Sequence, residues 1–154
     1  MTKKKKKDRS NTIVDNSDVL EGFVIKRFDN NDKYEGFYFN GKRSGKGTYI
    51  WSNGDRYVGD WAAGVFNGIG TLTLRTGDQL KGSFINGVFN GCGVKTNAKD
   101  GSVIEGMFFN GQAHGICKKI HSNGDIFNGF FQHDLMTGFG QYHWNDGSTY
   151  IGEN

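Results

Sequence analysis

Residues 34–56 read YEGFYFNGKRSGKGTYIWSNGDR, and the reading of this stretch decides the fold. It opens on an aromatic residue, any residue and a glycine: Tyr34-Glu35-Gly36. The same triplet, with an aromatic or aliphatic residue first, returns as Tyr57-Val58-Gly59, Leu80-Lys81-Gly82, Ile104-Glu105-Gly106, Phe127-Asn128-Gly129 and Tyr150-Ile151-Gly152. The intervals are 23, 23, 24, 23 and 23 residues. The additional residue falls at Ala98-Lys99-Asp100, in a turn, where an insertion is easily absorbed.

The other glycines then fall into register. Gly41, Gly64, Gly87 and Gly111 form one set, Gly45, Gly68, Gly91, Gly115 and Gly138 a second, and Gly47, Gly70, Gly93 and Gly140 a third. Gly54, Gly77, Gly101, Gly124 and Gly147 form a fourth. With the anchors, and Gly22 in a degenerate copy, all 25 glycines occupy repeat positions. A fixed period of this length is the mark of a repeat architecture.

Each unit reads as a hairpin. Tyr34 to Phe39 is aromatic and strand-like, and Thr48-Tyr49-Ile50-Trp51 is β-branched and aromatic, hence a second strand. Asn40-Gly41 opens a loop that ends near Gly47, and Ser52-Asn53-Gly54-Asp55 turns into the next unit. Helix is excluded, because each interior glycine would cost about 1 kcal/mol relative to alanine. Alternation along a strand places Tyr34, Gly36 and Tyr38 on one face. Trp61, Phe84, Phe108 and Phe131 repeat the Tyr38 position, so these side chains form a ladder. The glycine between two large residues leaves room for an aromatic ring from a neighbouring unit.

The units at 34–56, at 57–79 (YVGDWAAGVFNGIGTLTLRTGDQ) and at 127–149 (FNGFFQHDLMTGFGQYHWNDGST) closely resemble the MORN motif, the membrane occupation and recognition nexus. The resemblance covers residues 34–152. It implies an all-β fold: an elongated, twisted, single-layer antiparallel sheet of successive hairpins. Residues 1–19 are then a basic disordered tail, 20–33 a degenerate first repeat matching at Leu20-Glu21-Gly22, and 34–154 five repeats plus the opening strand of another. Asp134 replaces a turn glycine and Cys117 a strand glycine. Five units at about 4.8 Å per strand span roughly 50 Å. Little globular core results, and stability comes from each unit packing on its neighbours.

Charge divides the chain. Lys3, Lys4, Lys5, Lys6, Lys7 and Arg9 supply six of the 19 basic residues, and Asp8 is the one acid beside them. Residues 11–154 carry 13 basic and 15 acidic side chains, a slightly acidic body without a nucleic-acid footprint. No apolar run reaches the roughly 18 residues of a membrane span. The basic start has no apolar stretch behind it as a signal peptide would. Two cysteines make no disulfide framework. A cytoplasmic location follows as the expectation. Cys92 and Cys117 sit in opposite phases of their strands, which predicts opposite faces and no bond between them.

No catalytic, metal or cofactor site emerges. His114 holds a loop position filled by Ser44, Asn67, Asn90 and Thr137 in other units, a structural place. Gly45-Lys46-Gly47 and its copies connect strands, with no helix behind them to bind phosphate. Asp55, Asp78, Asp125 and Asp146 recur at the turns between units, where side-chain capping explains them. The resemblance implies a non-catalytic scaffold that joins proteins in a cytoskeletal, ciliary or membrane-associated assembly. The alternative is a regulatory or membrane-targeting module of a larger enzyme, such as a phosphatidylinositol phosphate kinase or a lysine methyltransferase. The chain stops just after Tyr150 opens a new unit, which fits a fragment as well as a chain ending on a lone strand.

A single-layer sheet cannot cover both faces, so ladder aromatics are expected to stay accessible. Tyr38, Trp61, Phe84, Phe108 and Phe131 are the partner-binding candidates, for another protein or a second copy; the alternative is that these side chains only pack unit against unit. The edge strand at Tyr150 is a second route to a homodimer. The basic tail is the candidate for weak contact with anionic lipid or an acidic partner, at about 1 kcal/mol per basic residue near a charged surface. If the protein sediments with anionic vesicles, deleting residues 1–9 is expected to abolish it. Salt near about 0.5 M, where screening lengths fall to roughly 4 Å, is expected to do the same. Sedimentation that survives both treatments would place the lipid site in the repeats.

Overall fold

The computed structural model describes residues 19–154, so the tail residues Lys3–Lys7 and Arg9 lie outside the described residues. Twelve strands make one antiparallel sheet in chain order. They are β1 (Gly22–Arg27), β2 (Lys33–Phe39), β3 (Lys42–Ile50), β4 (Arg56–Ala62), β5 (Val65–Thr73) and β6 (Gln79–Ile85), followed by β7 (Val88–Thr96), β8 (Val103–Phe109), β9 (Gln112–Ile120), β10 (Ile126–Gln132), β11 (Leu135–His143) and β12 (Thr149–Glu153). No helix occurs among the described residues.

The hairpin turns are tighter than the expected loop from Asn40 to Gly47. Asn40 and Gly41 alone form the turn, with φ of 49° and 73°. Two successive left-handed residues are the signature of a type I′ turn, whose twist suits a hairpin. β3 therefore starts at Lys42. Tyr34 faces Tyr49 and Gly36 faces Gly47, but Tyr38 then faces Arg43, so Ser44-Gly45-Lys46 stands opposite Phe37 alone. That bulge turns its residues to the other neighbour, where Gly45 faces Trp61 and Lys46 faces Asp60. Gly45, at φ 64°, provides the backbone conformation the bulge needs. The segment read as loop is strand on its far side.

β1 corrects a second expectation. Gly22 faces Tyr38 as Gly45 faces Trp61, and Val24 faces Gly36 as Gly47 faces Gly59. Gly22 is therefore a bulge glycine rather than an anchor glycine. Residues 20–33 supply the second strand of a unit and its closing turn.

One packing arrangement recurs along the sheet. The Tyr57 ring lies flat across Gly59 on its own strand and Gly70 on the next, so a methyl group on Gly70 would sit 2.6 Å from a ring carbon. The Tyr57 hydroxyl donates to the Asp60 carbonyl at 3.0 Å. Tyr34 covers Gly36 and Gly47 in the same way, and Phe127 covers Gly129 and Gly140. The ring over each glycine pair thus belongs to the same strand, not to a neighbouring unit. Where the aromatic is missing, the partners change with it. Leu80 cannot span Gly93, and Phe89 from the second strand lies there instead. Ile104 faces a strand on which Cys117 replaces the glycine, and the Cys117 sulfur occupies the space over Gly106.

Side-chain and backbone bonds fasten unit to unit at both ends of the strands. Asp55 accepts from the Arg75 N–H at 2.8 Å, Asp78 from Ala98 at 2.7 Å and Asp125 from Asn145 at 2.8 Å. Asp32 begins the row, accepting from Ser52 at 2.7 Å and from the Tyr49 hydroxyl at 2.6 Å. The Tyr49 bond is the main cause that holds the Asp32 carboxyl below the usual range. Its contribution to stability is present at neutral pH and lost as pH falls into the carboxylate range. Burial, aided by the bond to Asp32, pushes the Tyr49 hydroxyl up to about 12. At the other end, the Gly64 N–H donates to the Arg43 carbonyl at 2.9 Å and Gly87 to Phe66 at 2.8 Å. Asp134, in the glycine position of its turn, keeps φ at 64° and donates to the Ala113 carbonyl at 3.1 Å. The turn survives the substitution because aspartate tolerates this conformation.

The ring-on-glycine contact yields a paired test. Gly70→Ala is expected to cost about 3 kcal/mol by overpacking against Tyr57. Adding Tyr57→Ile to Gly70→Cys copies the Ile104–Cys117 pair and is expected to recover much of what Gly70→Cys alone loses, measured by denaturant unfolding. Additive losses would show that the ring and the glycine are not coupled.

Candidate interaction faces

The alternation of strands gives this sheet two unlike faces. Tyr38, Trp61, Phe84, Phe108 and Phe131 all lie on the ring-bearing face, and they are between 1 and 6% exposed. The expected accessibility of these five residues is not met. Rings cover each of them, from its own unit for Tyr38 and Phe131, from the unit before for Phe108, and from both for Trp61 and Phe84. Trp61 stands edge-on to Tyr57 and to Tyr34, with centroids 5.4 Å away in both cases, and its indole N–H donates to the Gly47 carbonyl at 3.1 Å. Phe84 meets Tyr57 edge-on at 5.3 Å, and Phe131 meets Phe127 at 5.6 Å. Rings at these separations in edge-to-face geometry are favourable contacts beyond area burial. The row is an internal seam that joins units.

This face is not uniformly apolar. The Arg43 guanidinium lies over Trp61 at 5.0 Å and Tyr49 at 5.1 Å, and donates to the Gly64 carbonyl at 2.8 Å. Tyr49, Leu72 and Tyr142 share a repeat position that Lys95 and Lys119 hold in the third and fourth units. Lys95 pairs with Asp134 at 3.1 Å, across two units, and Asp134 also accepts from the Ala113 N–H at 2.8 Å.

The opposite face carries the accessible apolar surface. On it, residues pair between units in a register set by the bulges: Lys46 with Asp60, Ile69 with Ser83, Cys92 with Met107, Ile116 with Phe130 and Phe139 with Glu153. Phe23 against Phe37 holds the same position before them, so the Lys46–Asp60 ion pair interrupts a mostly apolar row. Lys46, together with the Ile69 N–H at 2.9 Å, holds the Asp60 carboxyl below its ordinary range. Ile69 is 61% exposed and Ile116 67%. A second apolar row follows the hairpin ends, with Phe39, Ile85, Phe109 and Leu135 all exposed. Among the first units an open groove of about 520 Å³ lies over the paired glycines, beside the first row. Phe23, Phe37, Val58 and Ile69 make its apolar walls, with Lys46, Lys81 and Glu35 around them.

Sequence reasoning did not single out these residues, although a signal was present. YEGFYF, IEGMFF and FNGFFQ are apolar in both alternation phases, and only one phase can enter a single seam.

The remaining candidates are quickly placed. Cys92 is exposed on the apolar face and Cys117 buried on the ring-bearing face, on opposite sides as alternation predicts. Burial raises the Cys117 thiol, which donates to the Met107 carbonyl at 3.3 Å. His114 and His133 lie 5.9 Å apart at exposed hairpin ends, His133 bonding Gln112 at 3.0 Å. Among the described residues, no three His, Cys, Asp or Glu side chains stand together as metal ligands.

Burial of the five ladder residues changes what their replacement does. Trp61→Ala and Phe84→Ala are each expected to cost about 3–5 kcal/mol of folding stability. The melting temperature, followed by circular dichroism, checks this. An unchanged melting temperature for either variant would return that residue to the list of surface contacts.

Comparison with known proteins addresses the repeat itself. The family model of the MORN repeat matches residues 34–56, 57–79, 81–102, 105–126 and 127–149. No curated protein is similar enough to count as a match. Among solved structures, the chain is similar to the SAS-4 (dCPAP) TCP domain of Drosophila melanogaster in complex with a proline-rich motif of Ana2 (dSTIL), at 9% identity and a TM-score of 0.40. The alignment covers 92% of this chain and 96% of that one, and a likeness this slight bears on nothing beyond itself. The matches to the MORN model run along the sheet from β2 to the first residue of β12, and their boundaries fall within one residue of the 23- or 24-residue units: the chain belongs to the MORN-repeat family.

Proposed function

We propose that this chain is a non-catalytic scaffold that binds a protein partner on the face opposite its aromatic seam. One observation carries the reading: Phe37, Phe39, Ile69, Ile85, Ile116, Phe130 and Leu135 stand exposed along that face, and nothing among the described residues covers them. Contiguous apolar surface of this kind marks interaction sites in soluble proteins. The opposite face has already spent its large aromatics on holding the units together.

The groove bounded by Phe37, Val58 and Ile69 is the most structured part of the face. Its charged rim, Lys46, Lys81 and Glu35, can orient a segment that its apolar walls hold. Polar rims around apolar centres are the usual anatomy of a protein interface. A cytoskeletal, ciliary or membrane-apposed setting follows the family resemblance, and the Lys3–Lys7 run with Arg9 would supply the contact with an anionic surface.

A variant carrying Phe37→Ser and Ile69→Ser tests the reading. It is expected to keep the wild-type melting temperature, since both side chains are solvent-facing. Affinity for a purified partner, first identified by capture on the wild-type chain, is expected to fall at least tenfold, or about 1.4 kcal/mol. Equal affinity for variant and wild type would remove this face from the function.

A further inference from the structure

On the reading of this face as an interaction surface, we propose that its second half seats a second copy of the chain. The arrangement is a two-fold, face-to-face dimer whose axis runs parallel to the strands, between β8 and β9.

The register supplies the argument. On the exposed face β8 presents Glu105, Met107 and Phe109, and β9 presents Lys118 and Ile116. Glu105 and Lys118 are direct cross-strand partners. A two-fold axis between them sets each strand over a different strand of the second copy: β9 over β8, β10 over β7 and β11 over β6. Lys118 then meets Glu105 of the second copy, and the same contact forms again by symmetry. Ile116 meets Met107 of the second copy, which are 67% and 44% exposed. Leu135 meets Ile85 of the second copy in the hairpin-end row, at 68% and 51% exposed.

Charge selects this axis over its neighbours. An axis through β9 would lay Lys118 on Lys118, and an axis through β8 would lay Glu105 on Glu105. Like charges brought together at an interface are strongly disfavoured. The midpoint gives four charges of alternating sign, flanked by apolar rows.

A second copy also fits the spacing. Both sheets have the same strand separation of about 4.8 Å, so rows stay in step across the interface near the axis. Two sheets pack at about 10 Å with strands within about 30° of alignment, which interdigitated apolar side chains can fill. The overlap from β5 to β12 is seven strand spacings, roughly 34 Å, by three side-chain rows. That gives on the order of 1,000–1,200 Å² in total, the low end for a specific interface. A dimer of this size is reversible and concentration-dependent. Its footprint stops at β5 and leaves the groove walls at Phe37 and Val58, on β2 and β4, free.

Sedimentation velocity on the full chain, from low micromolar to sub-millimolar concentration, reads the association. Glu105→Lys alone and Lys118→Glu alone are each expected to weaken it at least tenfold with the melting temperature kept. A mixture of the two single variants restores opposite charges at both contacts and is expected to associate as the wild type does. Phe37→Ser with Val58→Ser, two groove residues outside the overlap, is expected to dimerise normally, which separates this proposal from the partner-binding reading. A wild type that stays monomeric throughout, a dimer indifferent to both charge reversals, or single variants that fail to complement would each overturn the proposal. Partner capture through Phe37 and Val58 would stand in all three cases.

Discussion

A ring lying flat across two paired glycines is the contact on which this structure depends. It needs three residues at once: an aromatic, a glycine two positions later, and a glycine opposite that one on the next strand. A Cβ on either glycine would occupy the space of the ring. The arrangement lets a large side chain lie along the sheet instead of standing up from it, so a single layer can bury whole rings. Tyr34, Tyr57 and Phe127 are completely buried without any second layer above them. A sheet protein ordinarily gains such burial by packing one layer on another. Here the layer supplies its own cover, and the edge-on neighbours at Tyr38, Trp61 and Phe84 close the remaining gap.

The same contact explains why the units differ where they do. A unit that loses the ring leaves a void over its glycines, and an unfilled void in a packed seam is costly. The third unit answers with a ring from the second strand, Phe89. The fourth answers with the sulfur of Cys117, next to the smaller Ile104 and Ala113. Two departures that look like decay of the motif are therefore one substitution each with its repair. Asp134 belongs with them. It occupies a left-handed turn position that glycine holds elsewhere, and its carboxylate binds Ala113 and Lys95, where the fourth unit has lost its aromatic packing.

Much of this was legible from residue order alone. Period, strand content and the turns at Asn-Gly follow from local chemistry, and the inter-unit role of Asp55, Asp78 and Asp125 follows from their recurrence at turns. What stayed hidden depends on pairing between strands. Ser44-Gly45-Lys46 has the composition of a loop, and only the shift from Gly36–Gly47 to Tyr38–Arg43 makes it strand. Gly22 fits two repeat positions by type, and its pairing with Tyr38 decides between them. Exposure was the hardest to read. Alternation tells which residues share a face, but not which face the glycines collapse. Alternation groups Tyr38, Trp61, Phe84, Phe108 and Phe131 but leaves open whether they bind a partner or pack unit against unit; the glycine between each pair of large residues draws them into the seam.

That collapse also determines what surface remains for binding. Rings on one face lie down, so side chains on the other face have no cover and stand in solvent. The bulge then spaces them into two rows that run the length of the sheet. Every unit repeats these positions, yet nothing in the seam constrains what occupies them. They are free to vary from unit to unit, as the Lys46–Asp60 ion pair and the apolar Ile116–Phe130 pair show. A seam with strict requirements and a face with none divide the work: the first holds the sheet together, and the second is left open. What varies along that face, from the Lys46–Asp60 ion pair to the apolar Ile116–Phe130 pair, is therefore not set by folding.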